Sequence, residues 1–255
     1  NFCLADVTWD NSSGDNLWTN ILNWSSDVLP DASTGATLYL GSGAANGPLI
    51  SGAATALEVR VGGLGGGVST TTLRIVAGGS LTTTNFLMIG VDSPSIKSGI
   101  VDMTGGTVTL GTGTRANGHL YIAHSVSGTT GLLKISGGSI DVGGTFSIAN
   151  GAGTTGHVDL LDGTITTNAF QMAAGGVTAN ASMDITQGAL IINGEQTALI
   201  NSYIGNGWIT AYGGSGSVEV DYNVTNAGKT TVQGSSNSPF ARFPSPATNT
   251  AGVQP

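Results

Sequence analysis

Two carboxylates have a spacing that suits the binding of a cation. Asp159 and Asp184 are 25 residues apart, at the same position of an internal repeat described below. If consecutive repeats stack, the two side chains lie on adjacent turns, where a pair of acids can bind Ca²⁺. Polysaccharide-cleaving β-helix enzymes also use paired carboxylates, or Ca²⁺ beside a base that removes a proton next to a uronate. Asp141, a third acid of this region, falls on a different predicted strand.

The three histidines make a poor metal set. His119 and His124 flank a predicted strand (HLYIAH), with Tyr121 outward beside His119. Two residues five apart on a strand point to opposite faces, so this pair is badly placed to share a metal. His157 opens another strand, and we expect a solvated surface position for all three.

Motifs with a specific chemistry are missing from the sequence. No Ser-His-Asp set or phosphate-binding loop stands out, and the Asn-Thr-Asp, Gly-His-Gly and Arg-x-Pro-x-x-Arg motifs of pectin-cleaving enzymes are not found. We therefore predict no catalytic residue and no cofactor, with Ca²⁺ at Asp159 and Asp184 as the one metal candidate. Cys3 is the only cysteine, which leaves burial in an N-terminal cap or an intermolecular crosslink.

Charge and hydropathy narrow the possible partners. The net charge is −8, and the seven Lys and Arg residues are scattered along the chain, so no basic stripe exists for nucleic acid or for an anionic membrane. No apolar run is long enough to span a bilayer. The 42 glycines could indicate disorder, but the mean hydropathy of +0.18 and the alternation of apolar residues favour strands.

An internal repeat of about 25 residues determines the fold class. Each unit has an apolar-x-apolar strand, a turn of the Gly-Gly type, a second strand, and a third strand such as Phe146-x-Ile148. The second turn residues are Gly79, Gly106, Gly138, Gly163 and Gly188, with spacings of 27, 32, 25 and 25. Strands this short bury a face only by stacking, so the repeat predicts an all-β parallel β-solenoid with three strands per turn and about seven turns. Right-handed winding is expected from the length of the unit.

Stacking places equivalent residues in columns about 4.8 Å apart. Three apolar columns are predicted to point inward: Leu73, Val101, Leu133, Val158 and Met183; Leu81, Val108, Ile140, Ile165 and Leu190; and Phe86, Leu120, Phe146 and Phe170. One outward column is charged, with alternating signs over its first four members: Arg74, Asp102, Lys134, Asp159 and Asp184. Because the alignment used only apolar residues, this alternation supports the register independently. It also favours a surface ladder over catalysis at Asp159 and Asp184.

The outer face of the middle strand is rich in threonine. Its predicted column is Thr82, Thr109, Asp141, Thr166 and Ile191. A flat threonine face can bind an ordered surface or a glycan, or carry O-linked sugars, but β-branched residues are also simply suited to strands.

The ends of the chain differ from the repeats. We divide it into an N-terminal cap (1–35) with Trp9, Trp18 and Trp24, a solenoid (36–193), a C-terminal module (194–233) with Trp208, and a Ser/Pro-rich tail (234–255). A helix is predicted over 195–204, followed by strands at 208–212 and 218–222. We expect the four tryptophans and the tail residues Phe240, Arg242 and Phe243 to serve assembly, with the tail docked on its own solenoid or on a neighbouring subunit.

Both end segments resemble a known family. The opening Trp9-Asp10-Asn11 … Trp18 … Asn23-Trp24 resembles secreted bacterial proteins with autotransporter-type β-strand repeats. The stretch from Ile204 to Tyr222 is similar to a module that closes many such planctomycete and verrucomicrobial proteins, often before a sorting (PEP-CTERM) or dockerin segment, which this sequence lacks. The resemblance implies an exported or surface β-helix protein, and it offers no catalytic residues to transfer.

The remaining signals fit secretion and a structural role. An opening without Met is expected of an exported chain after removal of its signal, and four sequons, at Asn11, Asn23, Asn180 and Asn223, are compatible with glycosylation. The leading expectation is an extracellular structural or adhesive protein that self-assembles end to end into a fibre or surface layer. The alternative is a glycan-binding or polysaccharide-cleaving β-helix protein.

Overall fold

A computed structural model describes residues 6–38, 47–62, 70–91 and 98–237. Strands make up most of it, with one α-helix, α1 (Thr197–Gly205). The strands are β1 (Val7–Thr8), β2 (Ala36–Leu38), β3 (Leu49–Ile50), β4 (Ala53–Ala56), β5 (Val59–Val61), β6 (Thr70–Ile75), β7 (Ser80–Thr83), β8 (Leu87–Val91), β9 (Ser98–Leu110), β10 (Leu120–His124), β11 (Thr130–Ile148), β12 (Thr155–Met172), β13 (Asn180–Ile185), β14 (Ala189–Asn193), β15 (Ile209–Ala211), β16 (Ser217–Tyr222) and β17 (Lys229–Ser235).

The strands stack in parallel as a β-solenoid, which confirms the predicted fold class. Every pair between successive turns is parallel until the C-terminal end. We call the three sheets the first, second and third face, in the order in which each repeat passes through them. β11 and β12 each run through all three faces, and their register shifts mark the bends between faces. Right-handed winding stays a prediction.

The predicted columns of the first two faces are confirmed. Leu73, Val101, Leu133, Val158 and Met183 are in register on the first face and are at most 1% exposed. The second-face column continues one turn earlier with Ala54 and is otherwise as predicted. Apolar side chains from the three faces therefore fill the interior along the whole solenoid.

The third-face column was predicted wrongly at one position. Leu87, and not Phe86, lies opposite Leu120 and is fully buried. Phe86 is half-buried on the outer side, where the Arg60 guanidinium carbon lies 5.8 Å from the centroid of its ring. This cation–π contact gives the larger side chain a place outside the core. The complete column has seven members: Val7, Ala36, Val59, Leu87, Leu120, Phe146 and Phe170.

A tight corner follows the third face. Gly90 has a φ of 70°, and Ala123, Ala149 and Ala173 repeat this left-handed conformation on the later turns, with φ of 58°, 57° and 52°. The next strand passes so close that Gly131 touches the corner backbone. The corner therefore bends the chain sharply within a few residues, at the cost of strain in three alanines.

Each end of the solenoid is covered by a cap. At the N-terminal end, β1 forms the first turn of the third face and belongs to the region we predicted as cap. At the C-terminal end, α1 lies two residues later than predicted at its start and covers the last turn through Ile200 and Tyr203, which are both buried. β15 and β16 lie close to the predicted strands.

The second face ends with a strand that sequence reasoning missed. β17 pairs antiparallel with β14, placing Val232 opposite Leu190, and β16 then pairs antiparallel with β17. Two reversals make β16 run in the same direction as the strands of the solenoid.

Candidate functional site

The charged column on the first face has the predicted register. Arg74, Asp102, Lys134, Asp159 and Asp184 lie opposite one another on successive turns. The described residues contain three ion pairs between charged side chains and one contact between a histidine and a carboxylate, and only this last contact, which joins His157 to Asp159, includes a member of the column. The column is therefore a set of aligned charges at strand spacing, whose signs alternate over the first four members and whose members form no ion pair with one another among the described residues.

The carboxylates proposed for Ca²⁺ both accept hydrogen bonds from the protein. Asp159 Oδ1 lies 2.9 Å from His157 Nε2. Asp184 Oδ1 accepts hydrogen bonds from Thr210 Oγ1 at 2.7 Å and from the Gly213 N–H at 2.9 Å. Within the described ranges, no group of three or more His, Cys, Asp or Glu side chains is close enough to share a metal ion. A cation at this pair would have to compete with these donors for the same oxygens.

The structure forms a Ser-His-Asp chain that we did not predict. His157 lies opposite Ser182 on the next turn, and its Nδ1 is 2.7 Å from Ser182 Oγ. Its other ring nitrogen meets Asp159, two residues further along the same strand. The signal was present in the repeat, because register places His157 beside Ser182 and strand alternation places Asp159 on the same outer face.

This chain has two of the parts that activate a serine. The imidazole can take a proton from Ser182, and the carboxylate fixes its tautomer. The third part is a pair of N–H donors directed at a developing oxyanion. Backbone N–H groups can serve in this way only if they do not already donate to another strand. The Met183 N–H, which follows Ser182, donates to the Trp208 carbonyl at 2.8 Å. The arrangement is therefore better suited to a polar surface network.

His119, Tyr121 and His124 lie together, contrary to the prediction of opposite faces. The ring centroids of His119 and Tyr121 are 5.4 Å apart, and those of Tyr121 and His124 are 4.6 Å apart. The left-handed Ala123 breaks the strand alternation just before His124. His119 Nδ1 accepts the Thr145 N–H at 3.1 Å, and partial burial lowers the pKa of His119 and raises that of Tyr121. By accepting this N–H, His119 links the segment before β10 to β11 on the next turn.

Most residues of two parallel outward columns on the second face carry hydroxyl side chains. Thr55, Thr82, Thr109, Asp141 and Thr166 are in register, followed by Ile191. Two residues earlier on each strand, the second column holds Ala53, Ser80, Thr107, Ser139, Thr164 and Ala189. Asp141 interrupts the first column, at the turn that Arg115 reaches from the preceding loop.

A polar cleft opens beside Asp141. Arg115 Nη1 and Nη2 donate to Asp141 Oδ2 and Oδ1 at 2.9 and 2.8 Å, a bidentate pair. The cleft, of about 430 Å³, extends from this pair across the next two turns to the first residue of β17. It is lined by Arg115, Ser139, Asp141, Thr166, Asn168, Asn193 and Lys229, among others.

The N-terminal tryptophans are buried inside the cap. Trp9 and Trp18 each meet Trp24 edge to face, with centroids 5.1 and 4.7 Å apart, and Trp24 Nε1 donates to the Trp18 carbonyl at 2.8 Å. All three are at most 2% exposed. They hold the cap together, so an assembly contact at this end involves other side chains.

Exposed apolar side chains are concentrated at the two ends. Six large hydrophobic residues are exposed in the described part of the chain, and only Val177 lies on the body of the solenoid. Ile21, Leu22 and Val28 belong to the N-terminal cap, and Tyr222 and Val224 to the C-terminal cap. Trp208 is half-buried and stacks on Tyr203 at 5.6 Å.

The four sequons differ in accessibility. Asn23 is fully buried, and its amide nitrogen donates to Asp15 Oδ1 and to the Leu17 carbonyl, so it cannot carry a sugar in the folded protein. Asn11 is half-buried and bonded to Asn16. Asn180 and Asn223 are exposed. Cys3, Phe240, Arg242 and Phe243 lie outside the described residues.

Together, fold and surface define a capped parallel β-solenoid with polar outer faces. Among the described residues, no helix is long and apolar enough to cross a membrane. Comparisons of the chain with protein-family models, with curated proteins and with solved structures find no match. The function must therefore be argued from the side chains themselves.

Proposed function

We propose that the protein is an extracellular structural or adhesive subunit that assembles end to end. The observation that carries this proposal is the distribution of exposed apolar side chains, five of which belong to the two caps. Exposed hydrophobic groups that cluster at particular surfaces are typical of interaction sites. Contact between unlike ends is heterologous and, when it does not close into a ring, produces a filament.

The direction of β16 supports the same proposal. This strand runs with the strands of the solenoid, and no strand pairs with its outer edge among the residues described. At the other end of the second face, β4 pairs with β7 on one side only, within the same limits. A second copy could therefore place its β4 beside β16 as a parallel pair, continuing the second face from one subunit into the next.

Charge at the ends sets the conditions for assembly. Residues 6–35 contain five acidic and no basic residues, and residues 194–237 contain three acidic residues and Lys229. Two acidic ends repel each other at low ionic strength, and salt screens this repulsion over about 8–10 Å at 0.10–0.15 M. We therefore expect the association to strengthen with salt.

Negative-stain electron microscopy and sedimentation at 20 and 300 mM NaCl test the proposal. We expect filaments or long oligomers at the higher salt, and their loss in Leu22→Glu and in Val224→Glu, which remove an exposed apolar side chain and add to the repulsion between the two acidic caps. Val177→Glu is the matched control, because it adds the same charge at an exposed valine outside both caps. Monodisperse monomers at both salt concentrations, or filaments that tolerate both cap variants, would overturn the proposal.

A truncated chain separates the tail from the caps. The tail beyond Asn237 carries Phe240, Arg242 and Phe243, which we expect to dock either on the same solenoid or on a neighbouring subunit. Filaments that disappear on removal of residues 238–255, while the cap variants have no effect, would assign the contact to the tail instead of the cap surfaces.

A further inference from the structure

We propose that the cleft between Arg115 and Lys229 binds an acidic oligosaccharide, one that contains uronic acid. The cleft lies on the second face and reaches the C-terminal cap at Lys229, but none of the exposed apolar side chains invoked for assembly lines it. It gathers two of the five basic residues of the described chain in a protein with a net charge of −8. Two cations close together on an otherwise acidic protein attract an anionic ligand to that part of the surface.

Arg115 reaches the cleft because of an insertion. Nine residues, 111–119, separate Leu110 from Leu120, whereas three residues, 143–145, separate the equivalent Val142 from Phe146 on the next turn. The longer connection forms a short 3-10 helix, Arg115–Asn117, and extends over the following turn. Its arginine thereby meets Asp141 on the second face.

Asp141 holds the guanidinium in place and leaves part of it available. The bidentate pair uses one hydrogen from each terminal nitrogen of Arg115, so three of its five N–H donors are not engaged by this contact. The Arg115–Asp141 ion pair has no net charge. The net positive charge of the cleft therefore comes from Lys229.

Lys229 lies on the far side of the cleft, at the start of β17 and opposite Asn193. Hydrogen bonds from Arg115, aided by the charges of Arg115 and Lys229, lower the pKa of Asp141, so the field of Lys229 reaches into the cleft. No ion pair or hydrogen bond to another described residue occupies its ammonium group. A ligand anion would supply the partner.

The other lining groups favour a sugar over a simple anion. Asn168 and Asn193 have amides that donate and accept, and Ser139 and Thr166 add hydroxyls. The turns of Asp141, Thr166 and Ile191 are successive, so the floor spans two strand spacings, roughly 10 Å. Each unit of a uronic acid oligosaccharide carries one carboxylate and several hydroxyl groups. These groups are complementary to the cations, amides and hydroxyls of the cleft.

Calorimetric titration with oligogalacturonate, at low salt and with the full chain, tests the inference. We expect binding that weakens with salt, and a loss of affinity of about tenfold or more in Lys229→Gln, because a charge-assisted contact is removed. Lys134→Gln is the matched control, since Lys134 is exposed on the first face. Asp141→Asn, which keeps an acceptor for Arg115 and removes the negative charge, should bind several times more tightly.

Three results would overturn the inference. They are equal affinity for a neutral galacto-oligosaccharide of the same length, unchanged affinity in Lys229→Gln, and full competition by an equal concentration of inorganic sulfate, which would indicate a simple anion site. Because no step of the titration depends on assembly, and the cap variants leave the cleft intact, failure here and failure of the filament proposal are separable.

Discussion

A Cβ atom on Gly131 would lie 2.5 Å from the backbone nitrogen of Ala123 and 2.3 Å from the Ile89 carbonyl oxygen. Gly99 and Gly156 occupy the same position on the neighbouring turns, where a Cβ atom would also lie within 2.2–2.8 Å of backbone atoms. The corner after the third face thus depends on two features at once, a left-handed residue and a glycine on the strand that passes it.

Replacing Gly131 by alanine should therefore destabilise the solenoid. The methyl group meets backbone atoms, which cannot move aside as a side chain does, and we expect a loss of about 2–3 kcal/mol or more. Urea unfolding followed by circular dichroism measures it. Gly52→Ala is the control, because its Cβ would meet nothing within 4 Å. Equal stability of the two variants would contradict this account of the corner.

The charged column predicts that reversing the charge at Asp102 destabilises the protein. This residue lies between Arg74 and Lys134, so Asp102→Lys places three like charges on consecutive turns. We expect a loss of about 0.5–1 kcal/mol that shrinks as salt is added. Thr107→Lys, which introduces a lysine between Ser80 and Ser139, is the control. A salt-independent loss in Asp102→Lys would indicate a packing defect.

The repeat made much of the fold predictable. An apolar-x-apolar strand followed by a turn with glycine at its second position recurs five times, so the alignment of each repeat could be checked against the others. In contrast, the run Phe86-Leu87-Met88-Ile89 has no polar residue to mark the outer side. Its register depends on Arg60, which provides an outer place for Phe86 and lies on the preceding turn.

The candidate sites could be predicted less well, because they join residues without a shared pattern. Arg115 comes from an insertion that departs from the repeat, and Lys229 begins a polar strand whose antiparallel pairing breaks it. Likewise, the grouping of His119 with His124 follows from the φ of Ala123, a conformation that alanine seldom adopts. These contacts arise only from the three-dimensional arrangement.

The hydrogen bonds of Asp15 predict that the N-terminal cap loses stability at acidic pH. The Leu17 N–H and the amides of Asn20 and Asn23 donate to the Asp15 carboxylate and lower its pKa from 3.8 to about 2. A group whose pKa is lowered on folding stabilises the protein above its unfolded pKa, and this contribution is lost as the pH falls from about 4 to 2. Asp15→Asn should therefore have a lower Tm at pH 7 and a shallower fall in Tm over that range.

Scanning calorimetry at pH 7, 4 and 2 measures this effect. Asp27→Asn is the comparison, because Asp27 is exposed in the same cap and accepts no side-chain hydrogen bond from the described residues. If both variants show the same pH dependence as the original chain, Asp15 does not control the stability of the cap.

We predict that the hydrogen-bonded Ser182, His157 and Asp159 do not catalyse ester hydrolysis. His157 can accept the proton of Ser182, but the neighbouring Met183 N–H is committed to the Trp208 carbonyl. An attacked ester would thus develop its negative charge without that donor, and loss of one oxyanion donor alone costs about 10²–10³ in rate. We expect the protein to hydrolyse p-nitrophenyl acetate no faster than its Ser182→Ala variant. Hydrolysis that requires both Ser182 and His157 would show that the backbone at this edge of the sheet opens, and would make the protein an enzyme.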